Sequence, residues 1–343
     1  MDIEKNIDNI KEELRADEEV QIRVAVFGQP GAGKSSLINS ILGESAAQVG
    51  VGNDTTKQEC LYEYNGLYFA DLPGYDTARF PVDTYLQRFD LNSYDAFICV
   101  FGGKFHAADA VFFRQLQAER ESCLLVRTGL DMLFERHKSL EELKAEITQD
   151  AARQLERVVP LYFVSNRSGA GLEQLVLALE DSLPETKRER FIRGVKARSV
   201  TMLADKYQAC EKLVAKYAWL AAANAINPIP GLDVSIDLKL MNKMFDELKR
   251  TYGLNQAKLD RFRGVLPLAE RVLAMGTKEG MVALMKNYVG KQGVEGLAKY
   301  VPYAGQAVAM GLGYALTSNL GKKYLDDCHE LATGILQNKL ADL

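Results

Sequence analysis

The stretch IRVAVFGQPGAGKSSLINSILG, Ile22 to Gly43, decides the fold. An apolar, β-type run enters Gly28-Gln29-Pro30-Gly31-Ala32-Gly33-Lys34-Ser35, and a helical pattern follows it. The octet meets G-x-x-x-x-G-K-[ST] at every fixed position, in the strand–loop–helix setting that gives the motif its meaning. Glycine lets the backbone wrap closely, so that successive N–H groups from Gly28, Gly31, Ala32, Gly33, Lys34, Ser35 and Ser36 cradle phosphates. Lys34 neutralises charge across the β- and γ-phosphates, and the Ser35 hydroxyl is a Mg²⁺ ligand.

Around this loop, residues 21–183 alternate short apolar runs with helical patterns. Strands are expected at 22–27, 59–64, 67–72, 95–101, 123–127 and 160–166. Strand–helix alternation implies a mostly parallel sheet with helices on both faces. The exception is ECLYEY and LYFADL, joined by Asn65-Gly66, a hairpin signal. The fold expected is therefore an α/β Ras-like P-loop G domain over 21–183.

A phosphate loop alone does not separate ATP from GTP. Asp71-Leu72-Pro73-Gly74 closes the run LYFADL, where Asp71 would hold a Mg²⁺-bound water and the Gly74 amide would meet the γ-phosphate. Between the two motifs, the polar stretch VGVGNDTTKQ holds Thr55 and Thr56, one of which would close on Mg²⁺ and the γ-phosphate; spacing does not choose between them. Thr128-Gly129-Leu130-Asp131 follows CLLVR, where a guanine-reading Asn/Thr-Lys-x-Asp belongs. Asp131 offers a carboxylate to the guanine N1–H and 2-amino group, a pair adenine lacks. Gly129 stands in place of the Lys, whose stem packs over the base, so the loss is stacking area rather than the reading contact. Ser165-Asn166, after LYFV, would cover the base edge. The nucleotides expected are GTP and GDP, with Mg²⁺.

With these residues assembled, the chain resembles the immunity-related GTPases, the interferon-inducible family of dynamin-like G proteins. The likeness lies in DLPG, in FICVFGGKFHAADAVFFRQLQAERESCLLVRTGLD and LYFVSN, and in the later INPIPGLDVSID and YVPYAGQAVAMGLGYALT. It implies a G domain on a helical domain, GTP hydrolysis with a GTP-dependent homodimer through the nucleotide faces, and peripheral membrane association in cell-autonomous defence. The chain departs from that pattern at Gly129, in its short N-terminal extension, and at Asp2, where N-myristoylation needs Gly.

Beyond Pro184 the pattern becomes helical, so an all-α domain is expected over 184–343. Residues 1–20 form a helix with apolar Ile3, Ile7, Ile10 and Leu14 on one face, packing on the helical domain or the base of the sheet. The net charge of −4 conceals an asymmetry: residues 184–343 hold 24 Lys+Arg against 16 Asp+Glu, a balance of +8, leaving −12 for the rest. The basic segment KRERFIRGVKAR suits either an anionic membrane surface or the acidic half of the chain. The uncharged run Tyr300–Gly321 is long enough to raise a membrane span, but Pro302, Gln306, Ser318, Asn319 and its glycines suit close helix packing in a folded domain.

Five cysteines without disulfide-style spacing point to a cytoplasmic, reducing compartment, and three scattered histidines speak against a zinc site. The acidic N-terminus lacks the apolar core of a signal peptide, and no nucleic-acid partner is expected. In Ras-like G proteins a Gln after D-x-x-G orients the attacking water. Tyr75 holds that position here, so an isolated chain should turn over slowly. The alternative function is a nucleotide-bound scaffold whose helical domain binds a partner, hydrolysis being incidental.

Overall fold

The strand that ends in the phosphate loop lies at the centre of a seven-stranded sheet. A computed structural model describes residues 3–43, 47–51, 60–119, 122–224, 233–292 and 302–337. The strands are β1 (Ile22–Gly28), β2 (Ala47–Val51), β3 (Cys60–Tyr64), β4 (Leu67–Asp71), β5 (Ala96–Gly102), β6 (Cys123–Thr128) and β7 (Leu161–Phe163). Their order is β2-β3-β4-β1-β5-β6-β7. β1 pairs in parallel with β4 and β5, and β5–β6 and β6–β7 are parallel, whereas β2–β3 and β3–β4 are antiparallel. The β3–β4 turn is the expected Asn65-Gly66, both residues at positive φ (50° and 77°), as a tight hairpin turn requires.

Both faces of the sheet are covered. Ala25 and Phe27 of β1 are fully buried, as are Val24 and Val26, which strand alternation sends to the opposite face. On one side Phe27 contacts Phe97 and Phe112 in an aromatic cluster with Phe113, Leu116 and Leu155. Helices α3 (Ala107–Glu119) and α4 (Leu140–Leu155) supply that side. Helices α2 (Lys34–Leu42) and α5 (Leu172–Ser182) pack on each other, burying Leu37, Ile38 and Ile41 of α2 and Leu175, Val176 and Leu179 of α5.

The chain divides into two compact units, residues 21–196 and residues 1–20 with 197–343. The sequence pattern places the end of the sheet domain at Leu183; α6 (Glu185–Gly194) lies with the sheet unit instead. Its Phe191 is fully buried, Gly194 leaves no room for a side chain beside Leu67, and Lys187 pairs with Asp95 at 2.7 Å. Lys187 also donates to Gln21 O, and Arg188 donates to Leu183 O and Asp181 O. These donors of the basic segment are thus committed within the sheet unit.

The other unit is helical among its described residues: α1 (Ile3–Glu19), α7 (Val200–Asn224), α8 (Asp233–Thr251), α9 (Gln256–Phe262), α10 (Pro267–Met275), α11 (Lys278–Gln292) and α12 (Pro302–Gln337). α7 lies along α12, and α1 packs on α7, with Leu14 in the helical core and Glu13 facing Lys216 at 3.5 Å. The small residues of α12 permit the close approach. A Cβ on Gly321 would stand 2.7 Å from Val214 Cγ1, and one on Gly313 would stand 3.1 Å from Ala221 O. Among the described residues no helix is long and apolar enough to cross a membrane.

Candidate nucleotide site

Four loops leave the carboxyl ends of β1, β4, β6 and β7, the edge where open α/β sheets bind ligands. The first joins β1 to α2. Gly28 sits so close to β5 that a Cβ would overlap Val100 O, and Gly33 caps α2 in the left-handed region at φ 89°. The loop therefore presents backbone rather than side chains, at the positive end of a helix. Lys34 and Ser35 open α2. Lys34 Nζ donates to Gly28 O at 3.1 Å and Gln29 O at 3.4 Å. Burial lowers its pKa, while the Asp71 charge opposes that shift.

Asp71 ends β4, and its Oδ2 accepts a bond from Ser35 Oγ. A hydroxyl and a carboxylate from two separate motifs thus meet beside the loop. Among the described residues no three His, Cys, Asp or Glu side chains converge. The donor set fits Mg²⁺, which takes one or two protein oxygens together with substrate phosphates. Gly74 follows in the loop after β4, packed on Pro30 so tightly that a Cβ would stand 2.5 Å from its Cδ. Thr55 and Thr56 lie outside the described residues.

Thr128 ends β6, and its buried Oγ1 donates to Ala32 O at 2.6 Å, a strut from the base loop to the phosphate loop. Asn166, after β7, makes a second strut from Nδ2 to Gly33 O at 3.3 Å. Ser165 and Asp131 are brought together, Ser165 Oγ donating to Asp131 Oδ1 at 2.6 Å. That bond, with smaller help from Arg167 and Arg127, holds the exposed Asp131 carboxyl below its ordinary value. Asp131 is therefore an ionised acceptor at neutral pH.

Gly129 occupies the left-handed region at φ 69° and ψ 39°. A Cβ there would stand 2.7 Å from Met132 Cε and 3.2 Å from Arg127 Nη1, so the space from which a Lys stem would start is already lined. Met132 and Phe134, just beyond Asp131, are 76% and 87% exposed.

Tyr75 does not face this edge. It is fully buried, its ring stacks on Phe112 at 4.3 Å, and its hydroxyl donates to Asp109 Oδ1 at 2.7 Å. The reading that Tyr75 is no substitute for a water-orienting Gln thus acquires a physical reason: the only polar atom of its side chain is committed elsewhere. Sequence reasoning missed Asp109 and Gln29, which share that bond network, and Tyr85, whose hydroxyl donates to Pro73 O. An Asp in the first turn of a helix reads as a capping residue, and only the fold brings it to the phosphate loop.

Comparison with known proteins follows the same lines. A model of the interferon-inducible GTPase (IIGP) family matches residues 1–273. The chain is 26% identical over 276 residues to interferon-inducible GTPase 1 of Mus musculus, an alignment spanning 74% of this chain and 66% of that protein. It is 22% identical over 361 aligned positions to interferon-gamma-inducible GTPase 10 of Mus musculus, spanning 99% and 86%. Against the G domain of the T. maritima FeoB iron transporter, identity is 21% and the TM-score 0.34, covering 48% of this chain and 99% of that one. Motifs in register at one sheet edge, and a family match running from the first residue through the G domain into the helices, have one reading: the chain belongs to the interferon-inducible GTPase (IIGP) family and is a P-loop GTPase.

Proposed function

We propose that the chain binds GTP and GDP with Mg²⁺, hydrolyses GTP to GDP and phosphate, and self-associates through its nucleotide face in a nucleotide-dependent way. The observation that carries this reading is the set of bonds joining the four loops: Ser35–Asp71, Thr128–Ala32, Asn166–Gly33 and Ser165–Asp131. Gly28, Gly31, Ala32, Gly33 and Ser36 shape the phosphate cradle, and Lys34 balances phosphate charge. Ser35 and Asp71 would hold Mg²⁺ with Thr55 or Thr56, the metal neutralising charge on the phosphate oxygens. Gly74 offers its amide to the γ-phosphate, and Asp131, aligned by Ser165, reads guanine.

Self-association is supported by the burial of Tyr75, which leaves a water-orienting group to come from elsewhere, and by Met132 and Phe134 exposed beside Asp131. Peripheral contact with an anionic membrane surface belongs to the same reading through residues 197–343, which hold 19 Lys+Arg against 14 Asp+Glu, while residues 1–20 of the same unit hold 3 against 8 and oppose it. The donors of Lys187 and Arg188, already engaged, would contribute little to it. Five cysteines outside any disulfide accord with a cytoplasmic setting. The burial of Tyr75 equally favours a second reading, a nucleotide-bound scaffold with incidental turnover.

The guanine assignment is tested by titration. GTP and GDP should bind about tenfold or more tightly than ATP and ADP, and Asp131→Ala should abolish the preference. Because Ser165 keeps the Asp131 carboxyl below its ordinary value, the preference should survive acidification to about pH 5. Equal affinity for both bases would remove the guanine assignment.

A further inference from the structure

One carboxylate, Asp109, joins the phosphate loop to the segment after Gly74. It lies in the first turn of α3 and is 1% exposed. Oδ2 accepts from His106 N at 2.8 Å, which satisfies an otherwise free donor at the helix start. Capping accounts for that oxygen alone. Oδ1 faces away from the cap and accepts two side chains from elsewhere in the chain, Tyr75 Oη at 2.7 Å and Gln29 Nε2 at 3.1 Å. Gln29 is the second residue of the phosphate loop, and Tyr75 directly follows Gly74.

Removing a carboxylate from water is costly unless donors surround it, and three do so here. Burial raises the Asp109 pKa, and the Tyr75, His106 and Gln29 bonds draw it back. A buried group held by two otherwise separate segments transmits displacement of one to the other, because a packed interior does not yield gradually. The neighbouring contact of Gly74 on Pro30 places the same two segments against each other through backbone and ring.

We propose that Asp109 is a positioning residue. Through Oδ1 it ties Gln29 to Tyr75, holds the Gly74 amide in register with the phosphate loop, and passes the state of that loop to the segment after Gly74. The proposal rests on the nucleotide reading above and adds a residue outside the phosphate-loop, DLPG, Thr128–Asp131 and Ser165-Asn166 motifs. Because Gly74 serves the γ-phosphate end, the link should matter for a triphosphate more than for a diphosphate.

The test is a double-mutant cycle on the full chain with Mg²⁺, using fluorescent N-methylanthraniloyl derivatives of GMPPNP and GDP as probes. Gln29→Ala trims a half-buried side chain, and Tyr75→Phe keeps the ring on Phe112, so both spare the core. Each change should weaken the triphosphate probe about fivefold and the diphosphate probe less than about twofold. The double variant should be no weaker than about the worse single one, since either change alone already breaks the link. Tyr85→Phe is the structural comparison: it removes a bond to Pro73 O in the same loop without touching Asp109, so its effect should multiply with that of Gln29→Ala. If Gln29→Ala and Tyr75→Phe multiply, or act equally on both probes, the link through Asp109 is overturned while the nucleotide site stands. If the unmodified chain binds neither probe, the nucleotide reading falls and this one with it.

Discussion

Thr128→Val separates the two jobs that the base loop performs. The change is nearly isosteric and deletes one donor. Thr128 Oγ1 lies 2.6 Å from Ala32 O and 3.4 Å from Phe101 O, so its single hydrogen belongs to Ala32. Thr128 is 5% exposed and Ala32 4% exposed, so water cannot replace the lost partner. An unsatisfied buried carbonyl costs about 1–3 kcal/mol. The added methyl returns up to about 0.8 kcal/mol of apolar burial. The net loss is roughly 1–2 kcal/mol, which in a unit of this size lowers the melting temperature by about 2–8 °C. Circular dichroism melting of the full chain reads that shift. Since the strut also fixes the phosphate loop, GDP should bind about tenfold more weakly, while the ratio of guanine to adenine affinity stays constant because Asp131 is untouched. A melting temperature unchanged within a degree would show that the strut carries no load. A collapsed base preference would show that Thr128 contacts the base, and the division of labour would be wrong.

Lys34→Ala should leave the melting temperature nearly unchanged, because among the described residues Nζ bonds to two loop carbonyls alone, yet weaken GTP about 10- to 100-fold and abolish hydrolysis; unaltered turnover by phosphate release would place the active site elsewhere. Specific activity should rise with protein concentration and level off as dimers saturate, with moderate salt assisting slightly by screening the sheet units, where 20 Lys+Arg stand against 24 Asp+Glu over residues 21–196; a flat profile from nanomolar to tens of micromolar would mean that the monomer carries its own machinery.

The parts of this site that were legible in the sequence are those that act locally. The octet Gly28–Ser35 needs only its own backbone and the strand and helix flanking it, and Asn65-Gly66 encodes its turn in two residues. The strand β2 escaped notice because AQVGV carries small and polar residues without the alternation of a half-buried strand. Its pairing with β3 is a backbone property, with an irregularity between Gln48 and Gly50. β7 is shorter than LYFVSN suggested, since after Phe163 the chain turns so that Val164 O and Ser165 Oγ serve Leu130 N and Asp131. The assignment of α6 failed for another reason. A Pro before a basic helix marks a break in the chain but does not say on which side the helix packs, and that was decided by Phe191 and by Gly194 against Leu67. Asp109 was invisible because its partners stand 34 and 80 residues away.

The same geometry bears on when two copies would meet. Asp76, after Tyr75, is exposed and left-handed at φ 60°, so the loop turns outward where Tyr75 turns in. The Tyr75 side chain has no polar atom left to align water, which on the proposed reading puts the missing group on another segment or another molecule. Met132 and Phe134 offer apolar surface at the edge of the base loop, and burying one such side chain contributes about 1.5–3 kcal/mol. Against this stand the ordering of side chains, the loss of rigid-body freedom, about 4–15 kcal/mol, and the repulsion of two acidic surfaces. Two side chains a copy contribute about 6–12 kcal/mol to a pair even at full burial, which roughly balances the rigid-body term and leaves side-chain ordering and repulsion uncovered, and a stable interface needs about 1,000 Å² or more. On this reading, constitutive pairing through this edge is disfavoured. Nucleotide must tip the balance, by adding its own surface at the edge and by ordering the segments that surround the phosphates. The segment after Gly74 is one of these, and Asp109 fastens it to the phosphate loop. Variants that loosen the link should therefore weaken pairing with the triphosphate while leaving the diphosphate form monomeric, a difference that weighing the particles in solution by light scattering would read directly.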